Sequence, residues 1–492
     1  MKDIGVNEKA SLKSVSKTKV FKTNVLGNKK MIFGKFRHLH FVGIGGAGMS
    51  GMAQALAELG YRVTGSDMAP TDVTQALQRS GINVFEGHMP NNIEDAHVVV
   101  ISSAVQSNNP EVVEAKRLNI PVIKRAEMLG ELMRLKYSIG IAGSHGKTTT
   151  TAICGRIIAD ADLEPTIIVG GRFTDTAIGA AVGSGEYMVV EADEFDRSFH
   201  SMYPSMAVAT NLDLDHLDCY RDLNDLKEAF TIYLNRTPFY GQVILNGDDS
   251  NLADITIDLK RPVITFGLGE KCDYRACDLK SDENGCEFSM YERGQLLGKL
   301  RFPIPGTHNV MNSLCAAAIA LEIDIPFDTI AESLANFPGV LRRMEFKGEV
   351  NGRVVYDDYA HHPTEVRCSL ETAKTFNRPV CVIFQPHLFS RTRDFASDFA
   401  SALGVVDRVV VVDIYPAREE PIDGVTSKLI TDSAAKQGIK SIKYIGDTDA
   451  AIKYVVSGSP DNELIMTVGA GNVFHLVEPI LNGLKEMKDS KS

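Results

Sequence analysis

Residues 137–151 read Tyr-Ser-Ile-Gly-Ile-Ala-Gly-Ser-His-Gly-Lys-Thr-Thr-Thr-Thr: an apolar run, two glycines bracketing a Ser-His pair, then a lysine and hydroxyls that open a helix. Gly143 and Gly146 let backbone N–H groups approach phosphate oxygens, and a helix start presents unpaired donors with partial positive charge. Ser144 and His145 complete the turn. Lys147 would neutralise the terminal phosphates, and Thr148, followed by Thr149, would put a hydroxyl on Mg²⁺, a hard cation that takes oxygen ligands. A full Walker pattern has glycine five residues before Gly146, where this chain has Ile141, so the loop is the shorter G-x-x-G-K-T. Strand, glycines, lysine and threonine stand in the order that a nucleotide triphosphate site requires.

Other groups share this logic. Gly43-Ile-Gly-Gly-Ala-Gly48 supplies Gly43, Gly45, Gly46 and Gly48 of a G-x-G-x-x-G turn, with Asp67 ending the next strand. The pattern fits a dinucleotide, and equally any pyrophosphate such as that of a UDP-linked sugar. Glu191-Ala-Asp-Glu-Phe-Asp196 crowds four carboxylates at a strand end, a costly arrangement unless a cation joins them, and Mg²⁺ beside Glu191 is the economical answer. Asn211-Leu-Asp-Leu-Asp-His216 closes another strand; Mg²⁺ seldom selects histidine, which makes His216 an orienter more often than a ligand. Asn309 and Asn312 stand before an Ala-rich helix, Ser313 to Leu321, as helix caps or as readers of an adenine edge. Arg342 and Arg343 are either a surface charge pair or phosphate contacts from across a cleft. Asp357-Asp-Tyr-Ala-His-His-Pro363 and Phe384-Gln-Pro-His-Leu-Phe-Ser-Arg391 each follow a strand, where parallel sheets bind ligands.

These groups need strands that end together and helices that begin there. Alternating strand-like and helix-like runs predict an α/β chain, and 492 residues suggest about three domains. Residues 1–34 are polar, lysine-rich and aperiodic, and read as a flexible leader. Residues 35–135 form a Rossmann-like βαβ unit with strands at Val98–Ile101 and Val122–Ile123. Residues 136–338 carry the phosphate loop, with strands Tyr187–Glu191, Met206–Asn211 and Gln242–Asn246, and end at Phe337-Pro-Gly339. Residues 339–492 form a third doubly wound unit with strands Val354–Tyr356, Val380–Phe384, Val409–Asp413 and Leu464–Val468.

Composition narrows the class. Hydrophobic content of 44% with 23% charged residues is that of a soluble globular protein. A net charge of −11 argues against nucleic acid as main partner, since duplex binding draws on a basic surface. Eight cysteines lie scattered without a C-x-x-C pair, and Cys272, Cys277 and Cys286 match no common zinc spacing; reduced thiols in a cytoplasm follow. No stretch has the length of a membrane span.

Taken together, GIGGAGMSG, GSHGKTTTT, EADE, His216, His308-Asn309, DDYAHHPTE and Arg391 resemble the Mur ligases, and their alanine-adding branch in particular, over nearly everything from residue 37 onward. The resemblance implies three domains: a Rossmann-like one for a UDP sugar, a central P-loop-type ATPase, and a Rossmann-like one for an amino acid. It implies an ATP-dependent amide ligase acting on UDP-N-acetylmuramate and L-alanine through an acyl phosphate, with ATP and Mg²⁺, as a monomer or homodimer. By the same likeness Lys147, His216 and Arg343 are catalytic, and Thr148, Glu191 and His216 hold metal. ATP is met by residues 143–149, Asn309, Arg342 and Asp357 (or its neighbour Asp358). The UDP sugar is met by the glycine turn, Asp67 and Ser103, and the amino acid by Tyr359, His361 and Arg391. That branch is expected to carry arginine after Gln-Pro-His, where this chain has Leu388, so Arg391 or Arg393 would compensate. A ligase for a recycled tripeptide shares the first two domains. An NAD-dependent dehydrogenase, from the first turn alone, leaves the phosphate loop unexplained, and a non-ligating nucleotide switch would give at most slow hydrolysis.

Overall fold

Short β-branched runs bounded by glycine and helical stretches set up the first sheet. The computed structural model describes residues 33–489 except 47, 103, 170–179, 215–218 and 418. Strands β1 (His38–Val42), β2 (Arg62–Asp67), β3 (Asn83–Glu86), β4 (Val98–Ile101) and β5 (Val122–Lys124) pair in parallel in the order β3-β2-β1-β4-β5. Strand β1 is buried throughout, as expected where helices cover both sheet faces. Order reverses between β1 and β4, which opens a crevice at their carboxyl ends. The glycine turn lies there, leading into α1 (Met49–Glu58); α2 (Arg125–Met133) follows β5 directly.

The central unit carries a sheet in the order β15-β14-β13-β12-β11-β10-β6-β9-β7-β8. Its parallel part comprises β6 (Tyr137–Ala142), β7 (Thr166–Ile168), β9 (Tyr187–Glu191), β10 (Met206–Ala209), β11 (Gln242–Asn246) and β12 (Val263–Gly267); the short β8 (Ala180–Ala181) pairs antiparallel with β7. Strand β13 (Tyr274–Asp282) pairs in parallel with β12, then β14 (Gly285–Glu292) and β15 (Gln295–Phe302) extend the edge antiparallel. Strands β13, β14 and β15 escape the sequence reading, although β13 alternates between its two faces. Helix α3 (Lys147–Asp160) packs on α4 (Thr307–Leu321), whose alanines admit close approach. Helix α4 begins six residues before the expected Ser313, with Gly306 as an N-cap that makes no side-chain bond, so Asn309 and Asn312 are not its caps. Strand β10 stops at Ala209, short of the expected Asn211.

The third sheet has the order β16-β17-β21-β18-β19-β20, parallel except for the hairpin of β16 (Glu345–Val350) with β17 (Arg353–Asp358). The others are β18 (Val380–Phe384), β19 (Arg408–Val411, where Val409–Asp413 was expected), β20 (Ile442–Tyr444) and β21 (Leu464–Val468). Between β17 and β18 lies α5 (Pro363–Lys374), with proline in its first turn and a His362/Glu365 capping box; α6 (Phe389–Asp394) follows β18.

One apolar core runs from Ile139 and Ile153 of the central unit to Val366 and Val382 of the third. Another joins Leu56 and Leu129 of the first to Phe199 and Tyr233 of the central unit. The carboxyl ends of the strands are thereby brought to face two interdomain junctions. Among the described residues no helix is long and apolar enough to cross a membrane.

Candidate nucleotide and substrate site

The phosphate loop hangs between β6 and α3. Gly143 (φ 137) and Gly146 (φ 82) take conformations that L side chains avoid, and a Cβ on Gly146 would strike Asn312 Oδ1. Ser144 N donates to the Asn211 carbonyl at 3.2 Å, and His145 N to Asn211 Oδ1 at 2.8 Å, so the end of β10 shapes the turn. The N-cap of α3 is Gly146, which has no side chain to offer, and this leaves the first N–H groups of the helix for an anion.

Lys147 Nζ donates to the Gly143 carbonyl at 2.7 Å and to both Glu194 oxygens at 2.8 and 2.7 Å. Burial opposes its charge, but Glu194, Asp193 and Glu191 outweigh that, and its pKa stands above the ordinary lysine value. The Thr148 hydroxyl lies 3.0 Å from each Glu191 oxygen. Hydroxyl and carboxylate oxygens converging at a helix head fit the donor chemistry of Mg²⁺. His216 and Ser103 lie outside the described residues.

Between the central and third units a cavity of about 190 Å³ is lined by His145, Gly146, Thr149, Asn309, Arg343 and Asp358 among others. Asn309 is buried; its Nδ2 donates to the Pro305 carbonyl at 2.7 Å. Half-buried His308 is held neutral, its pKa lowered to about 4 by burial and by the Arg343 charge. Asp358 accepts from Met344 N and Ala360 N, both at 2.8 Å, and burial raises its carboxyl to about 6 despite Arg343. Arg342 and Asp357 do not line this cavity. They pair at 3.0 Å, Asp357 also accepting from Thr467 at 2.6 Å, while the Arg342 guanidinium lies over the Tyr359 and Phe474 rings.

Tyr359, His361, His387 and Tyr415 follow one another as a row of rings with centroids 5.4–5.9 Å apart. Arg391 is buried on α6, whereas Arg393 is half-exposed and pairs with Asp394 at 2.7 Å. Leu388 is buried with φ 71, and its N–H donates to the Tyr415 carbonyl at 3.0 Å. Of the two arginines offered as compensation, Arg391 alone sits inside the fold.

In the first unit Gly43 and Gly48 have φ 76 and 74. Asp67 turns inward, its Oδ2 accepting from Gly45 N at 2.8 Å. A Cβ on Gly48 would lie 2.9 Å from Arg125 Nη1, which places that guanidinium against the turn; it also faces Asp193 of the central unit at 3.8 Å. Sequence reasoning missed Arg125, and the only signal was a basic pair, Lys124-Arg125, at a strand end. It missed the pairing of Glu194 with Lys147 as well, which depends on the turn after β9.

Three family models match the chain in succession: Mur ligase family, catalytic domain, at residues 38–137; Mur ligase middle domain at 141–320; and Mur ligase, glutamate ligase domain, at 342–471. A UDP-N-acetylmuramate–L-alanine ligase of Geobacter sp. (strain M21) is 45% identical, covering 93% of this chain and 100% of its own. The same-named protein of Geobacter sulfurreducens is 43% identical with equal coverage. Among solved structures, the UDP-N-acetylmuramate-alanine ligase MurC of Thermotoga maritima matches with TM-score 0.76 at 28% identity, over 92% of this chain and 100% of its own. A murein peptide ligase of Psychrobacter arcticus matches with TM-score 0.65 at 25% identity, over 91% and 99%.

Proposed function

The chain belongs to the Mur ligase family, and on that premise we propose that it joins L-alanine to the lactyl carboxylate of UDP-N-acetylmuramate, converting ATP to ADP and phosphate. The observation that carries this reading is a phosphate loop opening onto a cavity shared with the third unit, in a chain whose relatives bear that activity as their name. A carboxylate is a poor acyl donor because its leaving group would be oxide. Attack of the sugar carboxylate on the γ-phosphorus breaks the bond to the β-phosphate oxygen, giving acyl phosphate and ADP. The alanine amine then adds to the acyl carbon, loses its proton, and phosphate departs from the tetrahedral intermediate.

The residues divide this work by position. Residues 143–149 form the cradle for the triphosphate, which the N–H groups from Gly146 into the start of α3 meet while Ser144 and His145 N–H fasten the loop to Asn211, and Lys147 follows the transferring phosphoryl group. Thr148 and Glu191 would hold Mg²⁺, and the family likeness adds His216; the ion supplies charge neutralisation across the phosphates. Arg343 and Asp358 meet the nucleotide from the third unit, with Asn309 at the base. The glycine turn with Arg125 takes the pyrophosphate of the sugar nucleotide, and Tyr359, His361 and Arg391 the amino acid. Both ATP and a UDP sugar are cytoplasmic metabolites, so the reaction is assigned there, in a monomer or homodimer.

Purified protein given UDP-N-acetylmuramate and Mg-ATP should release phosphate when L-alanine is added. It should release at most a small fraction as much with L-alanyl-D-glutamyl-diaminopimelate tripeptide. Turnover with the tripeptide alone would assign the chain to the recycling reaction instead.

A further inference from the structure

The backbone of His145 is tied to the end of β10, its N–H to Asn211 Oδ1 and its carbonyl to Thr210 Oγ1 at 2.6 Å and Asn211 Nδ2 at 2.9 Å. Its ring is tied elsewhere. Nε2 faces Asp213 Oδ2 and Nδ1 faces Glu365 Oε1, each at 3.2 Å. Ionised carboxylates only accept, so the ring must donate at both nitrogens and carry both protons. Asp213 belongs to the central unit, whereas Glu365 sits in the first turn of α5 in the third. Thr364 of that same turn donates to Asp213 Oδ2 at 2.6 Å, and the His362 ring lies 4.9 Å from that of His145. The start of α5 is thus docked on the phosphate loop through one cation held between carboxylates of two units. The cavity below it, about 190 Å³, is smaller than the ~300 Å³ lower bound for drug-sized ligand pockets. Making or breaking this contact therefore changes the space left for a nucleotide.

We propose that His145 is a positioning residue that couples nucleotide binding in the phosphate loop to docking of the third unit, by bridging Asp213 and Glu365 as a cation; this rests on the nucleotide reading of the loop. The groups facing the ring are Asp213 from the segment after β10, and His361, His362 and Glu365 from the start of α5. Arg343 acts on Glu365 across the cavity. Burial disfavours the imidazolium, but the two carboxylates outweigh it and raise His145 from its ordinary 6.5 to about 9. Asp213, despite burial, is lowered to about 2 by His145 and Thr364, and Glu365 also lies below its ordinary range, so both stay charged near neutrality. A raised pKa in the docked state means that docking is favoured fully below about pH 6.5, weakens as pH rises, and loses this contribution above about pH 9.

Glu365→Gln removes the charge but keeps the capping-box acceptor for His361 N and His362 N, so α5 stays intact. Titration of the full chain with Mg²⁺ and a non-hydrolysable ATP analogue should show wild-type affinity falling about tenfold between pH 7 and 9. E365Q should bind about tenfold more weakly at pH 7 and show a flattened pH dependence, and small-angle scattering should find it less compacted by the analogue. Thr364→Val should weaken binding by a smaller factor while keeping the wild-type pH slope. If E365Q keeps wild-type affinity and slope, the coupling is overturned. If the wild-type chain binds no nucleotide at all, the loop reading falls and the coupling with it.

Discussion

Lys147→Ala should lower ADP formation by about 10³-fold, the scale at which losing a charged donor to a developing transition state is felt. A second loss accompanies it. Glu194 is 1% exposed and holds Lys147 through both oxygens, so the variant breaks a buried ion pair, at a cost of about 3–5 kcal/mol before protonation relieves part of it. The apparent unfolding temperature should therefore fall together with activity. The double variant Lys147→Ala/Glu194→Gln separates the two effects: it should regain most of the thermal stability and none of the ADP formation. Affinity for the UDP sugar, measured by calorimetric titration, should stay nearly unchanged, because Gly43–Gly48 lie on a different sheet. A comparable loss of sugar affinity in Lys147→Ala would contradict this division of labour between the units.

Gly143→Ala should abolish nucleotide binding at concentrations that saturate the parent, a loss of about 10²-fold or more in affinity. At φ 137 an added Cβ is strained wherever it points. Here it would also run into Thr210 Oγ1 and come within 3.0 Å of Thr210 N and 3.1 Å of Asn211 N. Two of these neighbours are backbone atoms of the segment that fastens Ser144 and His145, so the loop cannot yield without losing those bonds. Gly81→Ala is the matched control: its φ is 87, and nothing lies within 4 Å of the added carbon. That substitution should cost about 1 kcal/mol of stability from backbone strain alone and leave turnover unaltered. Equal loss of nucleotide affinity in both variants would show that left-handed backbone strain, rather than the fit against Thr210 and Asn211, governs the loop.

What could be read in advance was local. The phosphate loop and the first glycine turn are each contiguous, and each places glycine where backbone must take positive φ or approach a neighbour closely. Most of the parallel strands were legible because burial on both faces makes them uninterrupted apolar runs. Strands β13–β15 were overlooked because they form an antiparallel extension in which β13 alternates and the edge strand β15 is largely exposed, patterns weaker than a continuous apolar run, and the pairing is interrupted by a register shift between Cys277 and Lys280. The helix at Thr307 was begun too late because polar Thr307, His308 and Asn309 look like caps, whereas the buried Asn309 turns its amide back to the Pro305 carbonyl from within the first turn.

The order of residues alone determined the kinds of chemistry present, since a glycine turn, a lysine and a threonine act within one stretch of backbone. Tertiary structure decided which groups meet across the chain. It set Asp358 and Arg343 into the cavity between the central and third units and turned the adjacent Asp357 and Arg342 onto each other: Asp357 and Asp358 are successive residues of β17 and point to opposite faces, while Arg342 stands in the turn before β16 with φ 59. It buried Arg391 and left Arg393 in solvent, and it brought Glu365 to His145 across 220 positions. Such pairings depend on the packing of whole domains, and burial then assigns their charges, which no local pattern encodes.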